Sequence, residues 1–108
     1  MTDLRKIVRG RPCYMRLDGC THNPEQTVLA HIRRGNVAGA GQKPSDLCAV
    51  PMCDSCHSQY DGRTRSALSR DQLDANALRA LMQWLVWLEK AGHVSSRQLD
   101  NEFMGEES

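Results

Sequence analysis

Residues 51–63, PMCDSCHSQYDGR, hold two cysteines, a histidine and an aspartate between Cys53 and Asp61. Cys53-x2-Cys56 has the spacing of a metal-binding knuckle, a tight turn whose two thiolates reach one ion while the second cysteine opens a helix. Cys13-x6-Cys20 is a looser pair, closed by the turn signal Asp18-Gly19. Zinc takes four soft or borderline ligands at tetrahedral corners. The two pairs together therefore make a structural four-cysteine zinc site of Cys13, Cys20, Cys53 and Cys56, clamping both ends of the 32 residues between them. Cys48 is the rival ligand: spacing alone also allows Cys48, Cys53 and Cys56 with His22 or His57. Its surroundings are apolar, where a small buried thiol is the plainer role. CDSCH also satisfies the c-type haem attachment pattern, but that chemistry needs an export signal, which the N-terminal stretch lacks, and it leaves Cys13 and Cys20 without a role.

A second chemistry sits beside the first. With a helix starting near Asp54, His57 and Asp61 stand four residues apart on one face, where both reach the same ion. A histidine and a carboxylate with open water positions suit Mg2+, Mn2+ or a second, catalytic Zn2+ bound to a substrate phosphate. His31 is then the base that activates water for attack on a phosphodiester. Each also has a structural role open to it: His57 as a shield for the knuckle, Asp61 as a turn residue before Gly62, His31 as a half-buried strand residue.

The elements that must position these groups are few. A chain of 108 residues is one domain with a modest core, and it gains from a metal staple. Residues 1–12 read as a basic arm closed by Pro12, and residues 13–65 as the cysteine-bearing core. Within that core Gln26–Ile32 is the best strand, ending near His31, and Leu47–Cys53 is a shorter one interrupted by Pro51. The 14 residues Arg33–Asp46 form a glycine-containing loop. A short helix follows from Asp54 to about Tyr60. Ser69 and Gln72 have the spacing of a capping box and Gly92 that of a C-terminal cap, bracketing a long helix from about Arg70 to Ala91. That helix carries one stripe of Leu78, Leu81, Leu85 and Leu88 and another of Ala77, Ala80, Trp84, Trp87 and Ala91. The leucines read as core, and the face around Trp84 and Trp87 as the candidate surface for a second copy of the chain. Residues 93–108 read as a flexible acidic tail.

Charge separates the halves. Residues 1–65 hold ten Lys and Arg against six Asp and Glu, residues 66–108 four against seven, although the net charge is only +1. A polyanionic partner would meet the basic half, which also carries the cysteines and three of the four histidines. No stretch approaches a membrane-spanning length, and the N-terminus has no signal-peptide core, so the expectation is a cytoplasmic protein with reduced thiols and no membrane partner.

The order of these features (a cysteine pair, VLAHI on a strand, a glycine-containing loop, MCDSCHSQYD) resembles the HNH endonucleases, whose ββα-metal fold sets two strands and a helix around one ion. In detail LRKIVRGRPC, NPEQTVLAHIR, GAGQKPSDL and CDSCHSQYDGRT look like the small prophage-encoded nucleases of the YbcO type, over roughly residues 4–65. The resemblance implies an α+β fold, a zinc-stabilised ββα-metal (His-Me finger) domain over residues 1–92 with an added C-terminal helix. It implies His31 as general base, His57 and Asp61 on the catalytic ion, and Cys13, Cys20, Cys53 and Cys56 on the zinc. Its activity would be phosphodiester hydrolysis in DNA, with low sequence specificity, in a bacterial host cell. Arg33, Arg34, Lys43, Arg63 and Arg65 would hold the DNA phosphates. One residue departs from the pattern: most such nucleases carry Asp or His just before the general base, and this chain has Ala30. The alternative is therefore a non-catalytic zinc-knuckle protein that binds nucleic acid in phage recombination or replication.

Overall fold

The computed structural model describes residues 3–32 and 46–103. Its elements run α1 (Leu4–Ile7), β1 (Val28–His31), β2 (Ala49–Met52), α2 (Asp54–Tyr60), α3 (Arg70–Lys90) and α4 (Ser96–Phe103), with single 3-10 turns at Pro24–Gln26 and Asp46–Cys48. The architecture is mixed α and β, with one small sheet. β1 and β2 pair antiparallel in the register Val28↔Met52, Leu29↔Pro51, Ala30↔Val50, His31↔Ala49. Pro51 has no N–H for a ladder, and a two-stranded sheet tolerates it because both strands are edges. Its carbonyl accepts from Tyr14 N at 2.9 Å, tying the Cys13 segment to the outer side of β2.

Side chains alternate across a strand, so the register sorts the hairpin into two faces. Ala30, Val50 and Met52 enter a cluster with Cys13, Met15, Leu17, Cys53, Cys56 and Tyr60, roofed by Leu73, Ala77, Ala80 and Leu81 of α3. Leu29 faces the other way, toward a second cluster of Leu4, Val8, Leu47, Trp84, Leu88 and Val94. α3 spans both clusters, the first with its N-terminal half and the second with its C-terminal half. The expected caps are present. Ser69 and Gln72 exchange hydrogen bonds of 3.1 and 2.8 Å, and Gly92, at φ +84°, closes the far end as His93 N reaches Leu88 O at 2.9 Å and Gly92 N reaches Glu89 O at 3.0 Å.

Three expectations about α3 and its tail need correction. Leu78, expected in the core stripe, is 59% exposed, and with Met82 and Val86 it lines the outer face at a spacing of four. Trp84, expected as part of a surface for a second copy, is fully buried: Tyr14 meets it edge-on at 5.5 Å and Trp87 stacks on it at 5.4 Å. The Arg11 guanidinium in turn covers Trp87 at 3.8 Å, a cation–π contact. Trp84 is thus covered by the chain's own N-terminal segment, whereas Trp87 is only partly buried. The segment after Gly92, expected to be loose, folds into α4. Val94 is buried there, and Ser95 and Gln98 repeat the capping box at 2.8 and 3.1 Å.

These placements give opposite outcomes for two substitutions on one helix. Trp84→Ala should cost about 3–5 kcal/mol of unfolding free energy, the usual range for emptying a buried aromatic site. Met82→Ser should change it by less than about 0.5 kcal/mol. Urea titration followed by circular dichroism measures both.

Candidate functional site

Cys53 is the N-cap of α2, and Cys56 lies one turn in, with its N–H 3.4 Å from the Cys53 sulfur. The other two cysteines come from the segment before β1. That segment is shaped by backbone in the left-handed region at Arg16 (φ +50°), Gly19 (φ +86°) and His22 (φ +54°), and the first and last of these are costly for residues bearing a Cβ. Side chains from the helices hold it from behind. Asn76 donates to Met15 O at 2.9 Å, Arg79 to Tyr14 O at 3.0 Å, and Gln59 to Asp18 O at 2.7 Å.

The outcome is that the sulfurs of Cys13, Cys20, Cys53 and Cys56 all lie within 4.8 Å of one another. Among the described residues no other group of three or more His, Cys, Asp or Glu converges in this way. Cys48, buried in the turn before β2, lies outside it, as do His22 and His57, so the ligand sets that include them are not the ones assembled. Cys20 and Cys53 sulfurs are 3.6 Å apart, close to the ~3.8 Å that a 2.3 Å zinc–sulfur bond gives across a tetrahedral edge. Backbone N–H groups of Leu17 and His22 point at Cys56 and Cys20 sulfurs, both at 3.4 Å, the kind of outer contact that stabilises thiolates.

Without a cation the four thiols share protons unequally. Cys13 is pushed down to about 4, chiefly because Cys56 donates its S–H to it, while the same bond and burial push Cys56 up. Burial leads in raising Cys20 to about 11; at Cys53 burial also raises, but backbone donors from Cys56 and Thr21 outweigh it and the net shift is down. A metal ion such as zinc would let all four ionise together, and the donor set fits it.

The remaining sequence-derived residues fall into two separate polar groupings. His31, at the end of β1, has its Nε2 2.8 Å from Asp46 Oδ1, and Arg5 Nε approaches the same oxygen at 3.9 Å. His57 Nε2 lies 3.1 Å from Asp61 Oδ2, which also receives Arg63 at 3.4 Å. The pleat sets His31 beside Leu29 on the side of α1, whereas α2 packs into the Ala30 cluster, so His31 and the His57–Asp61 pair are not gathered into one ligand group. Arg65 is exposed, and Arg33, Arg34 and Lys43 lie outside the described residues. Asp46 and Arg5 are the residues that sequence reasoning passed over. No signal in the sequence marks them: it is the hairpin register, with Ala49 opposite His31 and Asp46 one 3-10 turn ahead of Ala49, that brings Asp46 to His31.

A small α+β chain with four free cysteines gathered together, and histidine–carboxylate pairs outside that group, defines the class of small domains whose cysteines could hold a metal ion such as zinc. Comparison narrows this: the family model described as "Putative nuclease YbcO" matches residues 2–93, and the chain belongs to that family. Relatives include "Putative nuclease YbcO" of Escherichia coli (strain K12) and "Putative nuclease ybcO" of Enterobacteria phage 82. Each is 52% identical over 65 residues, covering 59% of this chain and 68% of the relative. A solved structure described as "Structure of a putative bacteriophage protein from Escherichia coli str. K-12 substr. MG1655" is 36% identical. It matches with a TM-score of 0.68, covering 83% of this chain and all of that one.

Elemental analysis of the purified protein is expected to find about one zinc per chain. Cys→Ser at position 13, 20, 53 or 56 should lose it and Cys48→Ser should keep it; zinc retained in Cys20→Ser refutes the four-cysteine assignment.

Proposed function

We propose that the chain is a metal-dependent DNA endonuclease of HNH type, associated with phage or prophage and working in the bacterial cytoplasm, that hydrolyses phosphodiester bonds on a ββα unit stapled by a zinc on four cysteines. The observation that carries this reading is the His31–Asp46 pair at the end of β1, in a family described as nuclease. An ionised carboxylate only accepts hydrogen bonds, so Asp46 keeps a proton on His31 Nε2 and leaves the Nδ1 lone pair as the base. His31 takes a proton from water, the water oxygen bonds to phosphorus, and the bond to a sugar oxygen breaks, that oxygen leaving to take up a proton.

His57 and Asp61, 3.1 Å apart, would hold Mg2+, Mn2+ or a second Zn2+. When bound, such an ion supplies positive charge against the phosphate and the leaving oxygen. Since the two histidine pairs are separate groupings, the scissile phosphate is what joins them in this reading. Arg33, Arg34, Lys43, Arg63 and Arg65 grip the backbone without reading sequence, a hold that weakens with salt.

A second reading, the non-catalytic zinc-knuckle protein of phage recombination or replication, is favoured by Ala30. It is 2% exposed within an apolar cluster, so no ligand accompanies the base along its own strand.

Plasmid nicking in Mg2+ or Mn2+ separates the two. His31→Ala should slow nicking by about 10²–10⁴-fold, and Asp46→Asn by at least about tenfold with DNA affinity kept. A wild type that binds DNA yet cuts under no metal transfers the chain to the second reading.

A further inference from the structure

α1 and β1 enclose a cleft of about 320 Å³ that none of the residues assigned above explains, apart from His31 at its edge. Its walls include Arg5, Arg9, Thr27, Val28, Leu29 and His31. The two arginines are exposed, and among the described residues Arg9 makes no ion pair, while Arg5 has only the long approach to Asp46 at 3.9 Å. Arg11, the next basic residue of the arm, is committed elsewhere, over Trp87 and to the Tyr14 hydroxyl at 3.2 Å. At the cleft's base Thr27 is 4% exposed, and its hydroxyl has no hydrogen-bond partner among the described residues, an omission that buried polar groups rarely show.

The chemistry of these walls is divided. Two exposed guanidiniums ask for an anionic oxygen, while Val28, 45% exposed, and Leu29 offer an apolar surface of the kind a sugar ring covers. A nucleic-acid backbone alternates phosphate and sugar in this way. We infer that the α1–β1 cleft is a backbone subsite for DNA, in which Arg5 and Arg9 hold a phosphate neighbouring the one at His31 and the intervening sugar lies on Val28 and Leu29. The strand thus leaves the His31–Asp46 pair across the N-terminal arm. The inference rests on the nuclease reading for the placement of the scissile phosphate, but the subsite itself is read by binding.

The experiment measures affinity for a fluorescein-labelled duplex of about 20 base pairs by anisotropy across a salt series, in the His31→Ala background so that nothing is cut. Each charged phosphate contact contributes close to one to the slope of log K against log salt. Arg5→Gln plus Arg9→Gln should therefore lower the slope by about two and weaken binding about tenfold or more near 0.1 M salt, with the melting temperature held. Lys6→Gln, on the same helix but outside the cleft, should do less than either single arginine change. An unchanged slope in the folded double variant, or an equal loss for Lys6→Gln, overturns the subsite. Plasmid nicking by the otherwise unmodified chain is scored separately: nicking with an unchanged slope defeats the subsite alone, whereas the predicted slope change without nicking defeats the nuclease reading and leaves the subsite standing.

Discussion

Four sulfurs drawn within 4.8 Å of one another set the terms for most of this fold, because two arrive from before the hairpin and two from the turn after it. Nothing apolar in a chain of this size would hold those two segments together as firmly, and thiolates at such separations repel unless a cation lies among them. The left-handed backbone at Arg16 and His22 is a cost of bringing Cys13 and Cys20 round. Ligation of a metal ion there would be one source of free energy to offset it. The polar arms of Asn76, Arg79 and Gln59 are another, since each satisfies a knuckle carbonyl from a helix that the apolar core has already fixed.

α3 is the common member of both apolar clusters. Its alanines at 77 and 80 lie in the cluster where Val50 and Met52 of β2 are buried, and its Trp84 and Leu88 fill the space under α1 and Leu47. The cysteine staple and the N-terminal arm are therefore mechanically linked through one helix, although they sit on opposite faces of the hairpin. Arg11 over Trp87 completes the link by seating the arm on the helix with a cationic side chain whose body also covers apolar surface.

Much of this was legible in the residues. The cysteine pairs, the Asp18-Gly19 turn, the strand ending at His31 and both caps of α3 are set by local chemistry, and local chemistry is what a sequence displays. Where reading failed, the deciding fact was non-local. Leu78 and Trp84 are both apolar residues on an amphipathic helix; which one faces water depends on where α1 and Tyr14 dock. α4 was hidden because its polar composition resembles a loose tail, while Val94 and Leu99, packed against the second cluster, and a hydrogen bond from Ser96 to Glu89 anchor it. Asp46 was invisible as a partner of His31 because fifteen positions separate them, and only the register of the hairpin brings them together.

That register has a consequence for how the chain tolerates change. His31 and Asp46 are joined by their own contact, and beside it Ile32 N donates to Cys48 O at 2.8 Å, so the pair is seated on the hairpin itself. A slip of one residue in that pairing would part the histidine from its carboxylate while turning the strand's side chains to the opposite face, so the pair and the core of the hairpin stand or fall together.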